Sequence, residues 1–193
     1  AKRVMYSSTS SAYGLANPIP LKEDMKKDCL NPYSITKTAG EEFCRMYHNL
    51  YGLETVIFRY FNVYGERQPT KGQYAPVVGL FQKQFANGEP MTVVGDGLQT
   101  RDYTHVSDVV NANITAMLSE NKDIYGEIFN VGTGKQHSVM SLVNLIGDGS
   151  NKSFTHIPSR LGEARNTQAD TTKIRTMMGW KHQVELEDWL KGV

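Results

Sequence analysis

Along the chain, short β-rich runs alternate with longer stretches that carry a helical repeat. Arg3–Ser7 reads as a short buried strand, followed by a Ser/Thr-rich turn and a loop punctuated by Pro18 and Pro20. Pro32-Tyr33 opens a helix over about residues 33–51, with Pro32 suited to the first turn. Its apolar residues Ile35, Ala39, Phe43, Met46, Tyr47 and Leu50 recur at helical spacing, and Gly52 is the expected stop. Glu54–Arg59 is β-rich and closes a strand–loop–helix–strand unit, an order that favours a parallel, doubly wound sheet. Beyond Gly65 a polar loop, Glu66–Gln73, leads into a helix over about Ala75–Asn87, a strand at Met91–Val94 and a Gly95-Asp96-Gly97 turn. A helix over about Val106–Ser119 precedes a strand at Glu127–Val131 that ends in Gly132-Thr133-Gly134. A last strand and short amphipathic helices finish the chain. The expected class is α/β, with a smaller mixed lobe after residue 65 and elements at about 101–132 returning to the first sheet.

Composition narrows the function classes. The 193 residues are 39% hydrophobic and 21% charged, enough for a packed core. Lysine plus arginine is 21 against 20 acidic residues, a net charge of +1 that argues against bulk binding to nucleic acid or an anionic membrane. No apolar run approaches the roughly 20 residues that span a bilayer, and no signal-peptide pattern is present. Cys29 and Cys44 have no metal-type spacing and fit a reducing cytoplasm, with Cys44 expected as a small buried thiol on its helix. The five histidines form no HExxH-like cluster, so no metal site is expected.

The first constellation with chemical potential is Tyr33-Ser34-Ile35-Thr36-Lys37. Residues four apart share a helix face, so the Tyr33 phenol and Lys37 ammonium can share a site. A nearby cation favours phenolate, which suits a tyrosine to taking and returning a hydroxyl proton. Alone, the pair is equally an amphipathic helix with a solvated lysine. Upstream, Tyr6-Ser7-Ser8-Thr9-Ser10-Ser11-Ala12-Tyr13-Gly14 puts hydroxyls just past the carboxyl end of a strand, where open parallel sheets bind ligands. The combination is much rarer than either part.

With these motifs the chain resembles the carboxyl-terminal part of an extended short-chain dehydrogenase/reductase, of the nucleotide-sugar epimerase/dehydratase group. Further motifs run in the same order: Arg59-Tyr60-Phe61-Asn62-Val63-Tyr64-Gly65, Gly95-Asp96-Gly97 and Arg101-Asp102-Tyr103-Thr104-His105-Val106 with Asp108. Asn130-Val131-Gly132, Arg160-x-Gly162-Glu163, Ala169-Asp170 and Gly179-Trp180 complete the set. The resemblance implies a Rossmann-like sheet over residues 1–65, carrying the catalytic residues, and a nucleotide-sugar lobe over 66–193. It implies Thr9 as the catalytic hydroxyl, Tyr33 as acid/base, and Lys37 as a ribose ligand that tunes Tyr33. Ser7, Ser8 and Tyr60 join Tyr33 and Lys37 as implied NAD-binding positions. Asn62, Arg101 and Arg160 are implied to hold the substrate diphosphate, a task that suits the planar, permanently charged guanidinium. Glu163 stands where the family often has a ribose-binding aspartate. His105, between Asp102 and Asp108, is implied to be structural, opening a helix with Ser107 or Asp108 near its amino end. The implied reaction is oxidation at sugar C4 by NAD, giving a 4-keto intermediate, followed by re-reduction on the other face. A homodimer formed through helices flanking the first sheet, including the Tyr33 helix, is implied for the full-length protein.

Within the group, 4,6-dehydratases carry Asp-Glu after the catalytic threonine, and UDP-glucuronate decarboxylases carry a glutamate two positions after it. Ser10 and Ser11 stand there, which favours a UDP-hexose 4-epimerase over those alternatives. Thr167, four after Glu163, occupies a position that gates the sugar 2-substituent, and its modest size points to an accepted UDP-N-acetylhexosamine. The family's glycine-rich nucleotide fingerprint does not occur, and the glycine turns at 95–97 and 132–134 do not continue as phosphate loops. The abrupt strand at Arg3 predicts that the residues are the rear portion of a longer enzyme. The non-enzymatic alternative is a lobe that cannot hold NAD.

Overall fold

The computed structural model describes residues 1–70, 75–147, 153–159 and 164–192. β1 (Arg3–Thr9) runs into a single 3-10 turn at Ser10–Tyr13, and α1 (Pro32–Tyr51) leads to β2 (Glu54–Tyr60). The second part contains β3 (Val63–Tyr64), α2 (Val77–Ala86), β4 (Met91–Val94), β5 (Thr100–Arg101) and β6 (Thr104–His105). Then come α3 (Val106–Leu118), β7 (Glu127–Val131), β8 (His137–Ser138), α4 (Val139–Ile146), β9 (Phe154–Ile157), α5 (Thr172–Met178) and α6 (Leu186–Lys191). β1, β2 and β7 form a three-stranded parallel sheet in that order. The α/β, parallel-sheet class is the one the sequence order implies. β3 pairs with β6 and β4 with β9, both parallel, whereas β5 and β8 pair antiparallel.

Successive strand residues face opposite sides of a sheet. Val56 and Phe58 of β2, with Phe129 and Val131 of β7, enter one apolar cluster with Ala112, Ala116, Ile174 and Trp180. α3 and α5 therefore cover that face. A second cluster gathers Val78, Phe81, Met91, Val93, Leu142 and Leu186 from α2, β4, α4 and α6. Tyr13, Leu21, Phe61 and Ala169 make a third, smaller cluster.

The other face of the parallel sheet meets α1, and here the pattern runs against the expected rule. Asn31 caps the helix by accepting from the Ser34 N–H at 2.8 Å, and Gly52 ends it in the left-handed conformation, φ 67°. The apolar repeat places the helix correctly but not its buried side. Ser34, Thr38 and Glu41 are buried, while Ile35, Phe43, Tyr47 and Leu50 are exposed. Cys44 is half-buried rather than buried. Gly40 explains how closely α1 approaches: a β-carbon there would fall 2.0 Å from the Tyr6 hydroxyl oxygen. Helix interiors disfavour glycine by about 1 kcal/mol against alanine, so this close contact is its structural reason.

Candidate active site

The carboxyl ends of β1 and β2 assemble the first group of side chains. In register, Ser7, Ser8 and Thr9 stand beside Phe58, Arg59 and Tyr60. The Lys37 ammonium donates to the Ser7 carbonyl at 2.9 Å and lies 5.7 Å from the centre of the Tyr6 ring. That hydrogen bond uses one of the three ammonium hydrogens. Tyr33, one helical turn earlier, is half-exposed, and its phenol has no hydrogen-bond partner among the described residues. Thr9 is buried, and its side-chain oxygen accepts from the Ser11 N–H at 3.1 Å, which caps the 3-10 turn. Accepting there leaves the Thr9 O–H hydrogen able to donate elsewhere. The Ser7 hydroxyl reaches the Tyr60 hydroxyl at 3.3 Å, and Asn113 donates to the same oxygen at 2.9 Å. Ser8 behaves differently: it is buried, and its hydroxyl donates to Glu41 at 2.5 Å.

A second group begins two residues after Tyr60. Asn62 donates to the Asp102 carbonyl at 3.2 Å. The neighbouring Arg101 guanidinium donates to the carbonyls of Thr100 and Arg165, at 2.9 and 3.2 Å. The Thr167 N–H also binds the Thr100 carbonyl, at 3.1 Å. Asn62, Arg101 and Thr167 thus all attach to the segment 100–102. The Thr167 hydroxyl is buried without a hydrogen-bond partner among the described residues. Arg160 and Glu163 lie outside the described residues.

Two buried carboxylates brace these groups, and the sequence reading gave neither of them a role. Asp102 accepts from the Thr133 N–H and hydroxyl at 2.8 and 2.7 Å, from Gly134 at 2.8 Å and from Ala169 at 3.0 Å. Burial pushes its carboxyl above the usual aspartate range against the pull of those donors. Glu41 receives both arms of the Arg59 guanidinium, each at 2.8 Å, and both residues are buried. Burial alone would raise the Glu41 carboxyl. The bonds and charge of Arg59, with Ser8 and Lys27, outweigh it and hold Glu41 below the usual range. The Arg59 guanidinium lies 4.7 Å from the centre of the Tyr13 ring, and Tyr13 donates to Asn130 at 2.6 Å. Burial pushes the Tyr13 phenol up to about 12. A signal for this network was available. Arg59 directly follows the buried apolar run Val56–Phe58 of β2, and a buried arginine requires an acidic partner.

The three acidic and imidazole groups of the 102–108 segment diverge. His105 caps α3, taking the Ser107 N–H at 3.2 Å, and Ser107 and Asp108 stand in the first turn of the helix, as the sequence implies. Asp108 accepts from Gln183 and Val184 at 2.9 and 3.1 Å, well away from the partners of Asp102. The glycine turns are filled by the chain's own atoms. A β-carbon on Gly97 would meet Met140, and one on Gly132 would meet Ala169 and Asp102.

Residues 1–132 match the family model described as "NAD dependent epimerase/dehydratase family". A putative UDP-glucose 4-epimerase of Methanocaldococcus jannaschii is 38% identical over 100% of this chain and 61% of its own length. The solved UDP-glucose 4-epimerase of Thermotoga maritima, with UDP-glucose, superposes with a TM-score of 0.91 at 36% identity, over 99% of this chain and 62% of that one. The UDP-N-acetylglucosamine 4-epimerase of Methanobrevibacter ruminantium, in complex with UDP-N-acetylmuramic acid, gives 0.92 at 32% identity, over 98% and 61%. The chain thus spans about three fifths of the length of these relatives.

Proposed function

The chain belongs to the NAD dependent epimerase/dehydratase family, and on that footing we propose that it carries the catalytic and substrate residues of a UDP-sugar 4-epimerase. The observation that supports this best is the set gathered at the carboxyl ends of β1 and β2. A hydroxyl with a free hydrogen (Thr9) and an ammonium (Lys37) stand there, with a half-exposed phenol (Tyr33) one turn before Lys37 on α1, while the turn beyond Thr9, Ser10–Tyr13, carries no carboxylate. Elimination of water or loss of carbon dioxide needs a further acid or base beside the sugar. Asp28, which reaches back to this loop, is engaged by the Leu15 and Ala16 N–H groups at 2.8 and 3.1 Å. Inversion at C4 needs no further group.

The residues fit the ribose end of a nicotinamide dinucleotide: Lys37 keeps ammonium hydrogens in excess of its one bond, on the helix face that carries the half-exposed Tyr33 phenol one turn earlier. NAD, when bound, supplies the acceptor and donor of the C4 hydride. The protein's part is then to move one proton and hold the sugar. Tyr33 takes the C4 hydroxyl proton and returns it, and Thr9 donates to the same sugar oxygen. Ser7 and Tyr60 line the cofactor side. Asn62 and Arg101, with Arg160 and Glu163, hold the nucleotide. Thr167, by its modest side-chain size, favours acceptance of an N-acetyl group on the sugar.

The exposed apolar stripe of α1, Ile35, Phe43, Tyr47 and Leu50, supports a homodimer through this helix. The test of the reading is a substrate panel on the gene product at its full encoded length, with products separated by chromatography. UDP-glucose should yield UDP-galactose, and UDP-N-acetylglucosamine its 4-epimer. Release of carbon dioxide from a UDP-uronate, or dehydration of the hexose, in place of epimerisation would overturn it.

A further inference from the structure

Tyr33, Lys37 and Glu41 are spaced four apart on α1 and so lie along one face in successive turns. Lys37 donates to the Ser7 carbonyl at 2.9 Å, and Glu41 accepts from the Ser8 hydroxyl at 2.5 Å. Consecutive residues of β1 are therefore gripped by consecutive turns of α1, immediately before Thr9. The same carboxylate takes both arms of Arg59, the register partner of Ser8 on β2. One buried group thus ties β1, β2 and α1 together at the level where the strands end.

Stability alone does not account for this arrangement. Replacing a buried ion pair by apolar residues of similar volume is often neutral or stabilising, because two charges no longer lose their water. Nor does Ser8 face the site, since it is almost fully buried with its hydroxyl turned to the carboxylate. What the arrangement does supply is direction. Hydrogen bonds to a fixed carboxylate constrain angle as well as distance, which apolar packing does loosely.

We propose that Glu41 is a positioning residue which, through the Ser8 hydroxyl and with Arg59 as its fixed counter-charge, sets Thr9 against Tyr33 and Lys37. It assigns Ser8 to that clasp and removes it from the groups that touch a cofactor. The activity arm rests on the epimerase reading; the exchange arm does not.

The test uses the gene product at its full encoded length and compares wild type with Ser8→Ala, Ser8→Thr and the double variant Glu41→Met/Arg59→Met. Misplacement of a reacting group by about 1 Å costs on the order of a hundredfold in rate. Ser8→Ala and the double variant should therefore lose tenfold or more in kcat on a UDP-hexose, with KM within about twofold. Ser8→Thr, which keeps the hydroxyl, should recover most of the rate. Melting temperature should be near wild type in Ser8→Ala and in the double variant. Amide hydrogen exchange should quicken over residues 9–13 in both, while α1 stays protected. A double variant that folds and turns over at the wild-type rate would overturn the proposal. So would a rate loss that merely follows the folded fraction. If wild type epimerises no UDP-sugar, the functional reading fails by itself, and unchanged exchange over residues 9–13 would still defeat the positioning claim.

Discussion

The two faces of the parallel sheet are built on opposite principles. On one, Val56, Phe58, Phe129 and Val131 pack against Ala112, Ala116, Ile174 and Trp180 of α3, α5 and the chain beyond. On the other, Ser8, Arg59 and Asn130 form a row across the three strands, and α1, whose buried residues are Ser34, Thr38 and Glu41, bonds to Ser8 and Arg59 through Glu41. Apolar packing is non-directional and tolerates exchange among residues of similar volume. Buried hydrogen bonds tolerate much less, since an orphaned partner keeps its full desolvation cost. The first face therefore stabilises the sheet, and the second determines where its functional groups stand. The comparison also explains why α1 carries its apolar residues outward: its inner face is given over to the clasp.

The sharpest way to separate the faces is to remove one group from each. Tyr33→Phe should lower kcat by about 10²–10⁴-fold, the usual worth of general acid–base catalysis. Calorimetry should find its affinity for the nucleotide sugar unchanged; a variant that keeps its rate would remove Tyr33 from the chemistry. Phe58→Ala on the opposite face should cost about 3–5 kcal/mol in urea unfolding and leave the kcat of the folded fraction intact. A large kcat effect would mean that the faces are not separable.

Next in size is Arg59→Met. It leaves the Glu41 carboxylate buried with only Lys27 and Ser8, and should destabilise by about 3 kcal/mol. Adding Glu41→Met should recover much of that loss, and additive losses in the double-mutant cycle would contradict the pairing.

A smaller effect depends on pH. Because the folded protein holds the Glu41 carboxyl below its ordinary value, the ion pair contributes fully above the unfolded value of about 4.3. That contribution is lost as pH falls through the lowered folded value. The stability advantage of wild type over Glu41→Gln should accordingly narrow on acidification below about pH 4. An advantage that stays constant into stronger acid would show that the carboxylate charge is not what matters. Smallest for stability is Leu50→Asp on the outer side of α1, within about 0.5 kcal/mol for the monomer. Light scattering should nevertheless report loss of the dimer, and a persisting dimer would place the interface elsewhere.

Much of this fold is legible in the sequence because strong periods mark its long elements. β4 and β7 fall where the apolar runs put them, and α1, α3 and β2 shift by one residue at an end. α2 is shorter than its pattern, beginning after Pro76. The two-residue strands β3, β5, β6 and β8 are too short to leave any period. The inverted face of α1 was hidden for a different reason. A hydrophobic repeat identifies a helix without saying what covers its apolar side, and the polar residues opposite have meaning only once Arg59 and Ser8 are beside them. For the site, Ser7, Thr9 and Tyr60 stand at the ends of β1 and β2 with Lys37 bound to the Ser7 carbonyl, while Asn62, Arg101 and Thr167 attach to the segment 100–102. Glu41 and Asp102 escaped because an isolated carboxylate reads as a solvated one until its donors are known.

The account turns on inversion at a single sugar carbon by groups on the α1 face. The most direct measurement follows UDP-glucose by proton NMR in deuterated water with the protein at its full encoded length. Formation of UDP-galactose with the original hydrogen kept at C4 is the predicted result. Deuterium at C4, or at C5 with loss of water, would contradict it.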